Sequence, residues 1–201
     1  MRPDARVQSA IDIVDQWNGS DVGLDRLLTD WGRVNRYAGS KDRAAIGDLV
    51  YGTVRRLRSA NWVSGNEIKS SGRNSVIGAL VLDGLDPEDF LTGERHAPQP
   101  LNATERDSIR DLQSAPRPIR LDYPDWLEPY VTDVDDADLD ALRARAAVDL
   151  RVNTLKSDPE QAASSLAEEG ISTLPVSGTK RSTFRMNWPS ESGLCCWKCN
   201  C

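Results

Sequence analysis

The sequence lacks long apolar runs and contains a single histidine. No stretch approaches the roughly 18–20 apolar residues of a membrane-spanning helix. The first six residues are not followed by an apolar segment, so we expect no secretory signal and predict a cytoplasmic protein. The one histidine, His96, lies in a proline-containing loop-like segment, which favours a structural or exposed role over catalysis. Cysteine is absent from residues 1–194, and all four cysteines fall within the last seven residues.

Charge is distributed unevenly along the chain. The formal net charge of −6 argues against indiscriminate nucleic-acid binding. Residues 31–73 nevertheless hold nine lysines and arginines against three acids, a local excess of six positive charges. Such an excess is typical of a phosphate-binding surface. Residues 133–140 carry five aspartates, which we interpret as a solvated loop and helix start rather than a metal site.

Residues 39–58 have the pattern of a central amphipathic helix, with Ser40 expected to cap its start. The apolar face repeats at helical spacing and comprises Ile46, Leu49, Val50, Val54 and Leu57. The opposite face carries Arg43, Tyr51, Arg55 and Arg58. Two interpretations are open: a core helix with a solvated arginine face, or a core helix whose outer face meets nucleic-acid phosphates.

Further helices are expected on both sides of this one. Apolar periodicity predicts helices over residues 2–17, 22–33 and 74–85, whereas the polar residues 61–73 predict a loop or a frayed helix end. Later in the chain, the sequence predicts a short helix after Asp86 and a capping box at Asn102–Glu105. Pro116 and Pro118 predict a break, and further helices are expected from Pro124 and over 138–146. We therefore predict a mainly α fold, with a helical domain at residues 1–146.

The pattern changes at residue 147. Residues 148–155 alternate and are rich in β-formers, which predicts a strand. Ser157-Asp-Pro-Glu160 has the form of a capping box, and Gly170 is expected to end the helix that follows. Residues 171–176 predict a second strand. Residues 147–176 would thus form a β-α-β unit that begins an α/β domain.

Two stretches resemble a known enzyme family. Asp149-Leu-Arg-Val-Asn-Thr-Leu-Lys156 and its following helix look like the entry to the catalytic half of the RsmB/NOP/Sun family. Lys41-Asp-Arg-Ala-Ala-Ile-Gly-Asp-Leu-Val-Tyr-Gly-Thr-Val-Arg-Arg56 resembles the core helix of that family's NusB-like RNA-binding domain. The resemblance covers residues 3–175 and implies an S-adenosylmethionine-dependent RNA cytosine-C5 methyltransferase that acts on RNA, ribosomal RNA in particular.

The resemblance implies an RNA-facing surface in this chain, but it assigns no catalytic residue to it. Family members use a cysteine thiolate on an unstacked cytosine and bind S-adenosylmethionine behind a glycine-rich turn of a doubly wound sheet. The sequence has no stretch with these motifs, so no catalytic, cofactor-binding or metal-binding residue is assigned and the catalytic doubly wound domain is expected to be absent. The RNA-facing residues that the resemblance and the charge pattern suggest are Arg33, Arg36, Lys41, Arg43, Arg55, Arg56 and Arg58.

The family pattern ends near Val176. Residues 177–201 are expected to be an aberrant, cysteine-rich tail, frameshifted or unstructured, because the composition changes abruptly there. A zinc site of Cys195, Cys196, Cys199 and Cys201 and a divergent native tail are the alternatives, although four sulfurs within seven residues lack the long loop that usual zinc sites span.

These observations predict a truncated RNA methyltransferase that keeps its RNA-binding part and is inactive alone. The alternatives are a stand-alone NusB-like RNA-binding or antitermination module without catalysis, and a non-functional gene remnant. The strand at residues 149–156 distinguishes the first from the second, because a simple NusB-like factor has no need to begin a β-containing domain.

Overall fold

A computed structural model describes residues 1–66, 71–144, 146, 148–176 and 183–186. These residues are mainly helical, with one small antiparallel sheet. They fall into two compact units, residues 1–143 and residues 144–186, close to the division predicted at residues 146 and 147. Within the described ranges, no helix is both long and apolar enough to cross a membrane.

Five helices pack together in the first unit. They are α1 (Pro3–Asn18), α2 (Leu24–Val34), α3 (Ser40–Arg55), α4 (Leu57–Val63) and α5 (Gly72–Leu82). Helix α1 packs against α2, α3 and α5, and α4 packs against α5. Four of these helices, α1, α2, α3 and α5, supply the core, which contains Val7, Ile11, Val14, Leu27, Ile46, Leu49, Val50, Val76, Ile77 and Leu80. The helices predicted over 2–17, 22–33 and 74–85 are confirmed, because their apolar stripes are the surfaces that meet here.

The predicted single helix over residues 39–58 is wrong in two respects. The helix ends at Arg55, and α4 starts at Leu57, because Arg56 leaves helical geometry with φ −115° and ψ 32°. Its N-cap is Gly39 rather than Ser40, and the Asp42 carboxylate accepts a hydrogen bond from the Gly39 N–H at 3.2 Å. Of the segment predicted as a loop or a frayed helix end, residues 61–63 are the end of α4, residues 72–73 begin α5, and residues 67–70 lie outside the described part.

The start of α4 is capped from a distant part of the chain. The Asp122 carboxylate accepts hydrogen bonds from the Ser59 N–H at 2.8 Å and the Ser59 hydroxyl at 2.6 Å. Asp122 itself has a positive φ of 58° and pairs with Arg143 at 2.9 Å. The Asp122 carboxylate therefore accepts a hydrogen bond from a backbone N–H in the first turn of α4, which has no partner within the helix.

Short elements complete the first unit. They are 3-10 turns at Pro87–Asp89, Leu112–Ser114 and Asp125–Tyr130, and helices α6 (Ala103–Ser108), α7 (Arg117–Arg120) and α8 (Asp136–Ala141). The capping box of Asn102 and Glu105 is confirmed, with bonds of 2.8 and 3.0 Å. Pro118 is part of α7 instead of breaking the chain, since proline is tolerated in a first helical turn.

The second unit contains β1 (Asp149–Arg151), α9 (Pro159–Glu168), β2 (Thr173–Pro175) and β3 (Thr183–Met186). The order in the sheet is β1-β3-β2, and β3 pairs antiparallel with both neighbours. The expected β-α-β succession is present, but β1 and β2 do not pair with each other. Asp158 rather than Ser157 caps α9, whereas Gly170 follows the helix with a φ of 78° as expected.

Strand β3 lies in the segment that we expected to be an unstructured tail. Phe184 is buried and pairs with Leu150 of β1 and Pro175 of β2, while Arg185 binds Asp149 at 2.8 Å. The expectation is therefore wrong for residues 183–186. The four cysteines and the remainder of residues 177–201 lie outside the described residues.

Candidate nucleic-acid interface

The structure divides the seven basic residues suggested by the sequence into two groups. An exposed group comprises Arg33, Arg36, Lys41, Arg43 and Arg55. Arg56 and Arg58 form the second group, with side chains only 19% and 20% exposed. The exposed group belongs to α2, the loop after it and α3.

Arg56 and Arg58 are held in contacts within the protein. Arg56 pairs with Asp83 at 2.7 Å, and its Nε also donates to the carbonyl of Gly52. Arg58 donates to the carbonyl of Tyr123 and pairs with Asp125 at 2.7 Å. These guanidinium groups fasten α3 and α4 to later parts of the first unit, so fewer of their donors are free for a phosphate.

Within the exposed group, charge is compensated at one position only. Arg33 pairs with Asp30 at 3.0 Å on the solvated side of α2. Across the described ranges, Arg36, Lys41, Arg43 and Arg55 form no ion pair. Cations of this kind are available to solvent anions, and pairing with exposed phosphates is the interaction that they favour.

A groove runs between α2 and α3, which we call the α2–α3 groove. It has a volume of ≈ 450 Å³. Its lining residues are Leu28, Thr29, Trp31, Gly32, Arg33, Arg43, Gly47 and Tyr51. Two arginines, a tryptophan and a tyrosine therefore line one open depression.

The α3 side of this groove follows from a four-residue spacing. Arg43, Gly47, Tyr51 and Arg55 recur at i, i+4, i+8 and i+12, which places them along one side of a helix. Arg43, Tyr51 and Arg55 are exposed, whereas the residues on the opposite side, such as Ala45 and Leu49, are buried. Gly47 carries no side chain, so the groove is open between Arg43 and Tyr51.

Arg43 is positioned by the loop before α3. Its Nε donates to the carbonyl of Ala38 at 2.9 Å, and its guanidinium lies beside Gly32 of α2. A Cβ at Gly32 would lie 3.6–3.7 Å from the Arg43 side chain, which is ordinary van der Waals contact, so the arginine packs directly on α2 at this point. Fixing one nitrogen of the fork leaves the others available to a ligand in a defined orientation.

The start of α3 is anchored by a buried carboxylate. Asp42 accepts hydrogen bonds from Arg6 at 2.9 Å, from the Gly39 N–H and from the Met1 ammonium group. Burial raises the pKa of Asp42, but these hydrogen bonds, with Arg6 foremost, lower it more, so its pKa lies below the usual value. Asp42 is thus ionised and holds the helix end from which Lys41 and Arg43 project.

Aromatic side chains accompany the cations. Tyr51 is 37% exposed, Trp31 is half-buried at the edge of the core, and Tyr37 in the loop between α2 and α3 is 72% exposed. The Tyr37 hydroxyl donates to Asn35 at 3.0 Å. Exposed aromatic rings beside cations are the groups on which unpaired bases stack. The helical pattern predicts that Tyr51 lies on the outer face of α3. It does not predict that Trp31, Gly32 and Gly47 line the same groove, because this depends on how α2 meets α3.

Other residues singled out by the sequence lie elsewhere. His96 is exposed and lines a separate cavity of ≈ 580 Å³ beside α1, together with Tyr37 and Asp12. Over the described residues, no group of three or more histidine, cysteine, aspartate or glutamate side chains is arranged to hold a metal ion. The aspartates at 135 and 136 cap α8 and pair with Arg117, respectively.

The described residues of the second unit do not form the kind of site that the resembled family uses for S-adenosylmethionine. A doubly wound site needs a glycine-rich turn between a parallel strand and the next helix. After β1 the chain instead passes through Asn153–Lys156, and β1 pairs antiparallel with β3. We therefore derive no step through this cofactor.

No protein-family model matches the chain, and a search of curated proteins found no significant match. The resemblance to the RsmB/NOP/Sun family thus depends on the residues quoted above.

Proposed function

We propose that the first unit is an RNA-binding domain and that the α2–α3 groove is its contact surface. The observation that supports this proposal most directly is that one open groove is lined by two arginines and two aromatic residues, Arg33, Arg43, Trp31 and Tyr51. Cations neutralise phosphates, and aromatic faces stack on unpaired bases, so the groove suits single-stranded loops of a structured RNA.

The flanking cations extend this surface. Arg36, Lys41 and Arg55 are exposed and unpaired in the described part of the chain, and they lie in the loop before α3 or on α3 itself. Five cations would contact phosphates if Arg33 and Arg43 are included. For single-stranded RNA, five contacts predict that log K falls with log salt with a slope of about −3.5.

We propose further that this RNA-binding unit serves a cytosine-C5 methyltransferase of the RsmB/NOP/Sun family acting on ribosomal RNA. The resemblance of residues 41–56 and 149–156 supports this interpretation, and a β-containing second unit supports it over a stand-alone NusB-like module. Catalysis and S-adenosylmethionine binding belong to parts of the family's fold that the described residues do not supply. The chain alone is expected to bind RNA without methylating it.

The test is fluorescence anisotropy with a labelled stem–loop RNA between 50 and 200 mM salt, the range over which about five phosphate contacts give a large change in affinity. Arg36→Gln and Arg55→Gln should each weaken binding and reduce the steepness of the salt slope by about 0.7. Arg106→Gln is the matched control, because Arg106 is exposed, pairs with Glu88 and lies on α6.

Two results would count against the proposal. One is a wild-type protein that fails to bind the RNA at the lowest salt. The other is an Arg106→Gln protein that loses as much affinity as Arg55→Gln, since the effect would then reflect net charge and not this surface. Methyl transfer by the purified chain would overturn the expectation that it is inactive alone.

A further inference from the structure

A third cavity of the first unit, apart from the α2–α3 groove and the cavity beside α1, is lined by hydrogen-bond donors. Its volume is ≈ 280 Å³, and it lies beside α4 and α7. Leu57 and Ile119 supply apolar walls, while Asn66 and Arg58 contribute polar groups. None of the described residues that line it is acidic. It shares no lining residue with the α2–α3 groove.

Trp62 forms one wall of this cavity. Its indole Nε1 has no hydrogen-bond partner among the described residues, but this nitrogen is buried and has no accessible surface through which a ligand atom could reach it. The tryptophan therefore lines the cavity, while the polar contacts to a ligand must come from other side chains.

A cation lies over the same tryptophan. The guanidinium carbon of Arg110 is 4.7 Å from the centre of the Trp62 ring. Such stacking holds the guanidinium in place while its edge N–H groups still point outward. Within the described residues, Arg110 has no carboxylate partner, whereas Arg58 on the same cavity is paired with Asp125. Arg110 therefore supplies the uncompensated positive charge.

Asn61 adds an amide donor. It is buried, and its Oδ1 accepts a hydrogen bond from the Ser75 hydroxyl at 2.7 Å. That bond uses the acceptor end of the amide and leaves the Nδ2 group to donate. Together Asn61 and Arg110 offer N–H donors around apolar walls.

We propose that this cavity binds a small organic anion, with a phosphate or carboxylate head on a flat apolar body. The head receives hydrogen bonds from Arg110 and from the Asn61 amide, and the body lies between Leu57 and Ile119. A neutral ligand would leave the Arg110 charge unused, and an inorganic ion would leave the apolar walls unfilled. The site is separate from the RNA surface, and its failure would leave the proposed function untouched.

The experiment is a titration of the ¹⁵N-labelled full chain followed through the indole N–H signals. The chain has six tryptophans, and Trp62→Phe identifies the Trp62 signal by its loss. Phenyl phosphate and benzoate are the probes, and they distinguish a phosphate from a carboxylate head. We expect a saturable shift of the Trp62 signal with at least one probe at concentrations below about 1 mM, because the anion binds the Arg110 guanidinium that stacks on the Trp62 ring.

Variants and neutral probes decide the outcome. Arg110→Gln should weaken probe binding at least about fivefold, while Arg106→Gln should leave it unchanged, since Arg106 does not line the cavity. The proposal is overturned by the absence of a saturable shift up to about 10 mM, by equal binding of benzyl alcohol, by inorganic phosphate binding as tightly as phenyl phosphate, or by unchanged binding in Arg110→Gln.

Discussion

Gly78→Ala tests the close packing of α4 on α5. A Cβ built at Gly78 would lie 1.9 Å from the carbonyl oxygen of Ala60 and 2.5 Å from its carbonyl carbon. Both are backbone atoms of α4, so no side-chain rotation can relieve the contact. A carbon and an oxygen normally approach to about 3.3 Å, which means that the helices would have to separate by roughly 1.4 Å.

The magnitude follows from two opposing effects. Alanine is favoured over glycine inside a helix by about 1 kcal/mol. Forcing apart a packed interface usually costs about 1–3 kcal/mol and sometimes more, and here the interface includes the fully buried Ala60 and the buried hydrogen bond from Ser75 to Asn61. A backbone overlap this large belongs at the upper end. We expect a net loss of about 2 kcal/mol or more, and a fall in Tm of roughly 5–10 °C.

Gly47→Ala is the matched control. Gly47 is also inside a helix, but a Cβ there would meet nothing within 4 Å. Only the helix-propensity effect remains, so this variant should gain about 0.5–1 kcal/mol. Thermal and urea unfolding of the full chain, followed by circular dichroism, would measure both. If Gly78→Ala were as stable as the wild type, or shifted in the same direction as Gly47→Ala, the described packing of α4 against α5 would be incorrect.

Two further predictions concern buried polar groups. Thr53 is completely buried and its hydroxyl has no hydrogen-bond partner, so Thr53→Val should raise the free energy of unfolding by about 1 kcal/mol in urea titrations; a loss of stability would mean that the hydroxyl is satisfied. Arg73 hydrogen-bonds to Glu105 at 2.7 Å and thereby holds the pKa of that carboxyl below its usual value. A lowered pKa stabilises the fold above the ordinary carboxyl pKa, and the contribution is lost as the pH falls through the folded-state value. Glu105→Gln should therefore cost about 1–2 kcal/mol at pH 7, and the two proteins should converge in stability only once the pH has fallen below the lowered pKa of Glu105; a difference that is independent of pH would refute this assignment.

Local sequence signals located the long elements well. Helix α1 was expected over residues 2–17 and spans Pro3–Asn18, because its apolar stripe alone specifies which face is buried. The capping box at Asn102 and the stop at Gly170 were also readable, since each depends on atoms within a few residues.

The errors arose where distant residues decide the local structure. The apolar period continues from Val54 to Leu57, so no local pattern indicates the break at Arg56. The contacts that accompany this break come from Asp83 and from Asp122, which caps α4 across 63 positions of the chain. Strand β3 was missed for the same reason, because a segment of four residues becomes a strand only through pairing with β1 and β2.

The candidate site shows the same division. The excess of basic residues was visible in the sequence, and five of the seven suggested residues are exposed. Which arginines are engaged within the protein was not visible, because Arg56 and Arg58 meet carboxylates 27 and 67 positions away. The groove itself depends on how α2 meets α3, with glycines at 32 and 47 keeping it open.

The measurement that tests the central claim most directly is the affinity of Tyr51→Ala and Tyr51→Phe for a stem–loop RNA at one fixed salt concentration. Tyr51 lines the α2–α3 groove and is partly exposed, so its replacement should leave the fold intact. Stacking on one unpaired base is worth about 1–3 kcal/mol, which predicts that Tyr51→Ala weakens binding by roughly 5- to 150-fold. Tyr51→Phe keeps the ring and should bind within about twofold of the wild type. Equal affinity of Tyr51→Ala and the wild type would contradict the assignment of this groove as the RNA-binding surface.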